Sequence, residues 1–220
     1  MTKEDVLEEL VTHKILQSPS LTRAFHKVDR RDFVASHLAA EAYADYPLPL
    51  GFEQTMPVPL AVAFMLELLL PRPGERVLEI GTGSGWQAAL LGYALSEGVP
   101  PERYARSPAV VTVERILPLS EIAKENLRKC AALPKGVVHV VAGDGMRGYA
   151  KYAPYDRIIS TIVTSSVPAA WKEQLRIGGR IVSPNEDVIE VHDKLSAIDY
   201  NTRAYHGLGF ISLEGEGDAS

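Results

Sequence analysis

The chain has 220 residues, 46% of them apolar and 23% charged, which suits one globular domain with a buried core. Twenty-three basic side chains against 28 acidic ones leave a formal charge of −5, and the nearest thing to a basic cluster is "RKCAALPK", so the balance argues against nucleic-acid binding. Cys130 is the only cysteine, which excludes an internal disulfide and a thiolate metal cluster; with a charged start, "MTKEDVLEEL", and no apolar run long enough to span a bilayer, it points to a reducing, cytoplasmic setting off the membrane.

Residues 1–35 read as helical. Thr2 and Asp5 have capping-box spacing, and Val6, Leu7, Leu10 and Val11 share one helical face. "SPSLTRAF" starts a second helix, with Ser18 or Ser20 as its cap. Residues 41–59 hold four prolines and read as loop; a helix follows over about 59–70 until "PRPGE" ends it. From residue 76 strands and helices alternate. "RVLEI" is a strand, "WQAALLGYAL" a helix and "AVVTVE" a strand. "PLSEIAKENLRKCAAL" is a helix with Leu119, Ile122, Ala123 and Leu127 on one face. "VVHVVAGDG" and "YDRIIST" are strands, "SVPAAWKEQLRIGG" is a helix closed by glycines, and "RIVSP" is a strand. Such alternation implies an α/β fold with a mostly parallel central sheet and helices on both faces. "KLSAIDYNTRAYHGLGFISL" reads as an antiparallel hairpin at the sheet edge. The organisation expected is one domain over 1–214: an N-terminal helical and substrate-loop region over 1–70, a cofactor-binding core over 71–214, and a tail over 215–220.

"VLEIGTGSGWQ" (77–87) is strand, glycine turn, helix start. A glycine turn alone is as readily a tight βα connection as a ligand cradle. Gly81, Gly83 and Gly85 depart from the dinucleotide spacing, since Trp86 stands where the third glycine should be. Glu79, two residues before the first glycine, would repel a pyrophosphate and attract a cation. Glu114 ends the next strand, where a carboxylate can accept from both hydroxyls of a ribose. Asp144 ends the one after, within reach of an adenine amino group. Each acid alone is more often a helix cap. Three at successive strand ends, around one glycine turn, fit an adenosine that carries positive charge, as S-adenosylmethionine does. An NAD-dependent oxidoreductase is disfavoured by Glu79 and by the glycine spacing.

Over about residues 5–214 the chain resembles the protein-L-isoaspartate O-methyltransferases, Rossmann-like class I methyltransferases. The resemblance is carried by "VDRRDFV", "AYADYPLPLGFEQT", "VLEIGTGSGWQAALL", "VVAGDGMRGYAKYAPYDRI" and "QLRIGGRIVSP". The glycine loop and the GDG stretch mark methyltransferases in general; "AYADYPLPLGFEQT" is particular to this family. The resemblance implies methyl transfer from S-adenosylmethionine, leaving S-adenosylhomocysteine, to the carboxylate of L-isoaspartyl residues in damaged proteins or peptides. It implies that Glu79, Gly81, Gly83 and Gly85 line the methionine end, and that Thr55, Met56, Thr82 and Arg115 also bind the cofactor. Glu114 would serve the ribose, and Asp144 and Gly145 the adenine. The acceptor carboxylate has a reference pKa of about 3.9, so no strong general base is needed. The six histidines are scattered and are read as structure or surface.

The loop "GFEQTMPVP" (51–59) departs from the family, which usually has a serine at position 57. Gln54, Thr55 and Met56 match, Pro59 starts the helix, and Pro57 removes both a hydroxyl and a backbone N–H from the expected catalytic position. Thr55 and position 57 are therefore the catalytic candidates, and Gln54, Ser165, Ser166 and Val167 the acceptor-side ones. Ser165 and Ser166 could restore a hydroxyl from the opposite wall; the plainer expectation is that they cap the following helix. Ser212 also stands where the family has a proline. A related methyltransferase with another acceptor, or a cofactor-binding module with weak or no catalysis, are the competing readings. The chain is expected to be a monomer, with no metal.

Overall fold

A computed structural model describes residues 1–186 and 188–206. The expected strand at "GFISLEG", Ser212 within it, and the expected tail lie outside the described residues.

Short apolar runs build the middle of a sheet that has seven strands among the described residues. β3 (Val77–Ile80) and β4 (Val110–Glu114) are buried along their whole length, as strands covered on both faces are. With β5 (Val138–Ala142), β6 (Tyr155–Ser160), β7 (Leu175–Asn185), β8 (Val188–Lys194) and β9 (Tyr200–His206), the order is β5-β4-β3-β6-β7-β8-β9. Pairing is parallel from β5 to β7 and antiparallel for β7–β8 and β8–β9. The antiparallel edge and the parallel centre agree with the reading from sequence. The chain steps outward from β3 to β4 and β5, then lays β6 on the other side of β3. Sheets of this kind bind ligands beyond the carboxyl ends of the strands, where the strand order reverses.

One face carries α4 (Trp86–Ser96), buried almost all round because it lies between the sheet and the N-terminal helices. Gly92 lets it approach β5; a Cβ there would meet Val138 Cγ2 at 2.8 Å. α2 (Pro19–Lys27) packs on α4, α3 (Pro59–Leu69) lies on β6, β7 and β8, α1 (Lys3–Thr12) touches α2 and α3, and a single apolar core runs through all four helices. The Thr2–Asp5 capping box forms, and Pro19 and Pro59 open their helices in the first turn. Ser18 precedes α2, yet its hydroxyl does not cap that helix. It donates to Glu67 Oε2 at 2.7 Å, while Glu67 Oε1 accepts the Gln17 and Ser18 N–H groups, tying α2 to α3. The second core covers the other face and centres on Trp171 and Tyr155.

Four local expectations are corrected. The proline-rich stretch 41–59 contains a hairpin, β1 (Leu48–Gly51) with β2 (Gln54–Met56), whose turn holds Gly51, Phe52 and Glu53 at positive φ. Its prolines stand at positions a two-stranded edge tolerates. α6 is only Ala169–Gln174; "LRIGG" belongs to β7, and its glycines serve an irregularity in the β6–β7 pairing rather than a helix stop. Val11 and Ile122 are exposed, so the apolar stripes of α1 and of α5 (Leu117–Lys129) are one residue narrower than their periodicity suggests. Among the described residues no helix is long and apolar enough to cross a membrane.

Candidate active site

The glycine turn sits at the carboxyl end of β3, and close contacts explain its composition. Gly81 has φ +89°, and a Cβ on it would lie 2.1 Å from Thr161 Oγ1. The Thr161 hydroxyl lies 3.1 Å from the Ile80 carbonyl oxygen and 3.2 Å from that of Gly81, so β6 is latched to the turn. Gly83 and Gly85 also take positive φ. Gly85 is the N-cap residue of α4 and packs on Leu127.

Glu79 is fully buried and does not reach the cavity that the turn borders. This differs from its expected place against the ligand. Gln87 Nε2 donates to its Oε1 at 3.0 Å, and the Thr112 hydroxyl donates to its Oε2 at 2.5 Å. The Thr82 hydroxyl then donates to Thr112 at 2.6 Å. Burial pushes the Glu79 carboxyl up to about 7, against these hydrogen bonds. Glu79 thus holds Thr82 and Gln87, both of which do line the cavity.

Glu114, at the end of β4, is turned toward the cavity. Its Oε2 accepts the Gly83 N–H at 3.1 Å and its Oε1 the Ile116 N–H at 3.0 Å. Two backbone donors hold the carboxylate still and leave further lone pairs for a ligand's hydroxyls. Asp144 follows β5 and caps the short turn 145–147, with Oδ1 accepting the Met146 N–H at 3.0 Å. Gly145 is demanded by packing, since a Cβ would sit 2.5 Å from Ile80 Cγ2, and its carbonyl accepts from Trp171 Nε1 at 2.8 Å.

The opposite wall is the β1–β2 hairpin and the start of α3. Gln54, Thr55, Met56, Pro57 and Val58 border the same cavity as Gly81, Thr82, Gly83, Glu114, Arg115, Asp144 and Gly145. The cavity has a volume of about 350 Å³, within the usual range for a small-molecule site. Gln54 Nε2 donates to the Glu53 carbonyl at 3.0 Å, holding its own turn.

Glu79, Gly85, Ser165, Ser166 and Val167 lie outside the cavity wall. Ser165 and Ser166 are exposed, and the N-cap of α6 is Pro168, so neither serine caps that helix; Val167 is in the Trp171 core. In their place Thr161 and Ile162 form the β6 side of the wall. Leu119, Met146 and Trp86 are further wall residues that sequence reasoning did not single out. Only Trp86 carried a signal, as the residue following the glycine run.

The donor set suits an adenosyl ligand with an amino-acid tail. A carboxylate faces one side, an acid and a glycine backbone stand at the next strand end, and apolar Leu119, Met146 and Ile162 lie between. α4 begins at the cavity with no acidic residue in its first turn, so its positive end is available to negative charge.

A family model described as protein-L-isoaspartate(D-aspartate) O-methyltransferase (PCMT) matches residues 1–215. A protein-L-isoaspartate O-methyltransferase of Methanopyrus kandleri is 39% identical over 218 residues, covering 97% of this chain and 92% of that one. One of Staphylothermus marinus is 44% identical over 182 residues, covering 83% and 78%. A solved protein-L-isoaspartate O-methyltransferase superposes with TM-score 0.74 at 29% identity, over 88% of this chain and 60% of that one. The putative Plasmodium falciparum enzyme, solved with S-adenosyl-L-homocysteine, superposes with TM-score 0.80 at 19% identity over 97% and 99%, which shows the shared fold.

Proposed function

This chain belongs to the protein-L-isoaspartate(D-aspartate) O-methyltransferase family, and from that premise we propose how its residues divide the work. The reaction is S-adenosylmethionine-dependent methylation of the carboxylate of L-isoaspartyl residues in damaged proteins, a repair activity. The observation that carries the assignment of roles is that the hairpin residues 54–57 and the glycine turn 81–84 wall one cavity.

When bound, S-adenosylmethionine supplies an electrophilic methyl group on a sulfonium. In this reading Glu114 accepts from the ribose hydroxyls, and Arg115 borders the same end. Asp144 and the Gly145 backbone recognise the adenine edge, with Leu119 and Met146 packing beside it. Gly81, Thr82, Gly83, Thr55 and Met56 surround the methionine end. Glu79 acts one layer below, fixing the Thr82 hydroxyl and the Gln87 amide. Gln54, Pro57, Thr161 and Ile162 stand where the acceptor enters. The acceptor is already anionic at neutral pH, so this chain's task is alignment and exclusion of water. Well-held geometry is worth about 7–11 kcal/mol, which accounts for a site wall that carries no strong base among the described residues.

We further propose that residues 1–214 act as one unit, supported by the core that α1–α4 share, and that the protein works as a cytoplasmic monomer with no nucleic-acid partner, supported by the buried thiol of Cys130 and the net acidity.

Calorimetry with S-adenosylhomocysteine tests the cofactor roles. Glu114→Ala is expected to weaken binding by about 1.5–3 kcal/mol, the worth of a hydrogen bond to a charged group. Unchanged affinity would remove Glu114 from the site.

A further inference from the structure

Among the described residues, Arg30 has the most buried side-chain nitrogens without a hydrogen-bond partner. It opens the short turn 30–33 after α2 and is fully buried. Its own N–H donates to the Tyr43 hydroxyl at 3.0 Å, but Nε, Nη1 and Nη2 have no hydrogen-bond partner among the described residues. No carboxylate among the described residues pairs with it; its neighbour Asp29 is taken by Arg31. Burial lowers the Arg30 guanidinium to about 10, which leaves it charged at neutral pH.

A buried cation without a counter-ion is strongly destabilising, so its location matters. The guanidinium carbon lies 4.6 Å from the centroid of the Trp86 ring, which Phe25 meets edge-on at 5.5 Å. Trp86 is the first residue of α4 and forms part of the cavity wall. The charge therefore stands one aromatic ring behind the ligand site, in apolar surroundings that screen it little. It stands at the positive end of α4, whose N-cap, Gly85, has no side chain to offer the exposed N–H groups. The nearby start of α3 likewise lacks a side-chain cap or an acid in its first turn.

We propose that Arg30 is a positioning residue for the carboxylate of the cofactor's methionyl group, its charge adding to the α4 terminus to hold that group at the Trp86 end of the cavity. The missing counter-ion would then arrive with the ligand. The inference rests on the cofactor reading above and is independent of the acceptor.

The test compares two ligands by calorimetry: S-adenosylhomocysteine, and its decarboxylated form, which keeps the amine and lacks the carboxylate. Arg30→Met keeps much of the stem's volume and removes the charge; it is expected to reduce the preference for the carboxylated ligand about tenfold, the effect of a unit charge at about 10 Å across a protein interior. Arg30→Lys keeps the charge without the planar stack and is expected to retain the preference. Should the Met variant not fold, Arg30→Gln reads the same ratio. A neutral variant that weakens both ligands equally, or neither, overturns the proposal, as does loss of the preference in Arg30→Lys. Wild-type protein that binds neither ligand overturns the cofactor reading itself.

Discussion

Pro57 stands in the cavity wall at the position where the family resemblance places a serine hydroxyl. Proline offers the acceptor no donor. Thr161 brings a hydroxyl to the facing wall, but it is held against the Ile80 and Gly81 carbonyls, and that of Thr82 is tied to Thr112, so neither replaces the missing one. Steady-state kinetics of Pro57→Ser on an isoaspartyl peptide should show turnover raised about ten- to a hundredfold, since a hydrogen bond to a charged group is worth about 1.5–3 kcal/mol and about 1.4 kcal/mol is tenfold in rate. Cofactor affinity should be little changed. Flat turnover would mean that Pro57 suits a different acceptor. Glu79 makes a second residue-scale claim. Its carboxyl is raised to about 7 in the fold from an ordinary 4.5, so the native state binds more protons than the unfolded chain between those values. The stability this group contributes is complete below the lower value and lost as pH rises through the higher one. Denaturation of wild type and Glu79→Gln at about pH 5 and about pH 8 should therefore show the wild type losing ground to the variant at the higher pH. A constant difference would mean that Glu79 titrates normally. The charge of Glu79 was plain from the sequence, but its depth was not: the position places it on the strand, while Gln87 and Thr112 arrive from elsewhere in the fold to cover it.

At the level of elements, the segments that announced themselves were those whose local chemistry and tertiary fate agree. The Thr2–Asp5 box, Pro59 at the start of α3 and the apolar runs of β3 and β4 are of this kind. The failures share a cause, which is that partners far along the chain decided the outcome. Ser18 had the form of a cap and was drawn instead to Glu67, 49 residues away. "LRIGG" had the form of a helix end, yet Leu175 pairs with Tyr155 and the segment continues a strand. The β1–β2 hairpin was hidden because prolines remove the usual strand alternation, although its closure sets Gln54, Thr55 and Met56 on the cavity. The turn after β5 gives the element-scale test. Gly145→Ala puts a methyl group 2.5 Å from Ile80 Cγ2, and overpacking of this kind costs about 1–3 kcal/mol. Chemical denaturation should show that loss, and calorimetry a weaker S-adenosylhomocysteine complex. Unchanged stability would mean that β3 yields at no cost.

Across the whole molecule, one sheet supports both halves of the task. Its carboxyl edge carries Glu114, Asp144 and the glycine turn, and the N-terminal segment folds over that edge to bring the Pro57 loop opposite. Strand alternation made the sheet and its crevice legible. The meeting of residues 54–57 with 81–84 was not contained in any local pattern; it came from the family resemblance, and in the structure it follows from α3 packing in the same core as α4. The acceptor side was the least legible part, because Thr161 and Ile162 enter the wall through the course of β6 whereas Ser165 and Ser166, attractive by chemistry, remain outside. The most direct measurement is methyl transfer from labelled S-adenosylmethionine to two peptides identical except for one isoaspartyl or aspartyl residue. The expected result is a methyl ester on the isoaspartyl peptide and none on its aspartyl twin; equal labelling of the two, or no labelling of the isoaspartyl peptide by protein that binds S-adenosylhomocysteine, would contradict isoaspartyl repair as the function of this site.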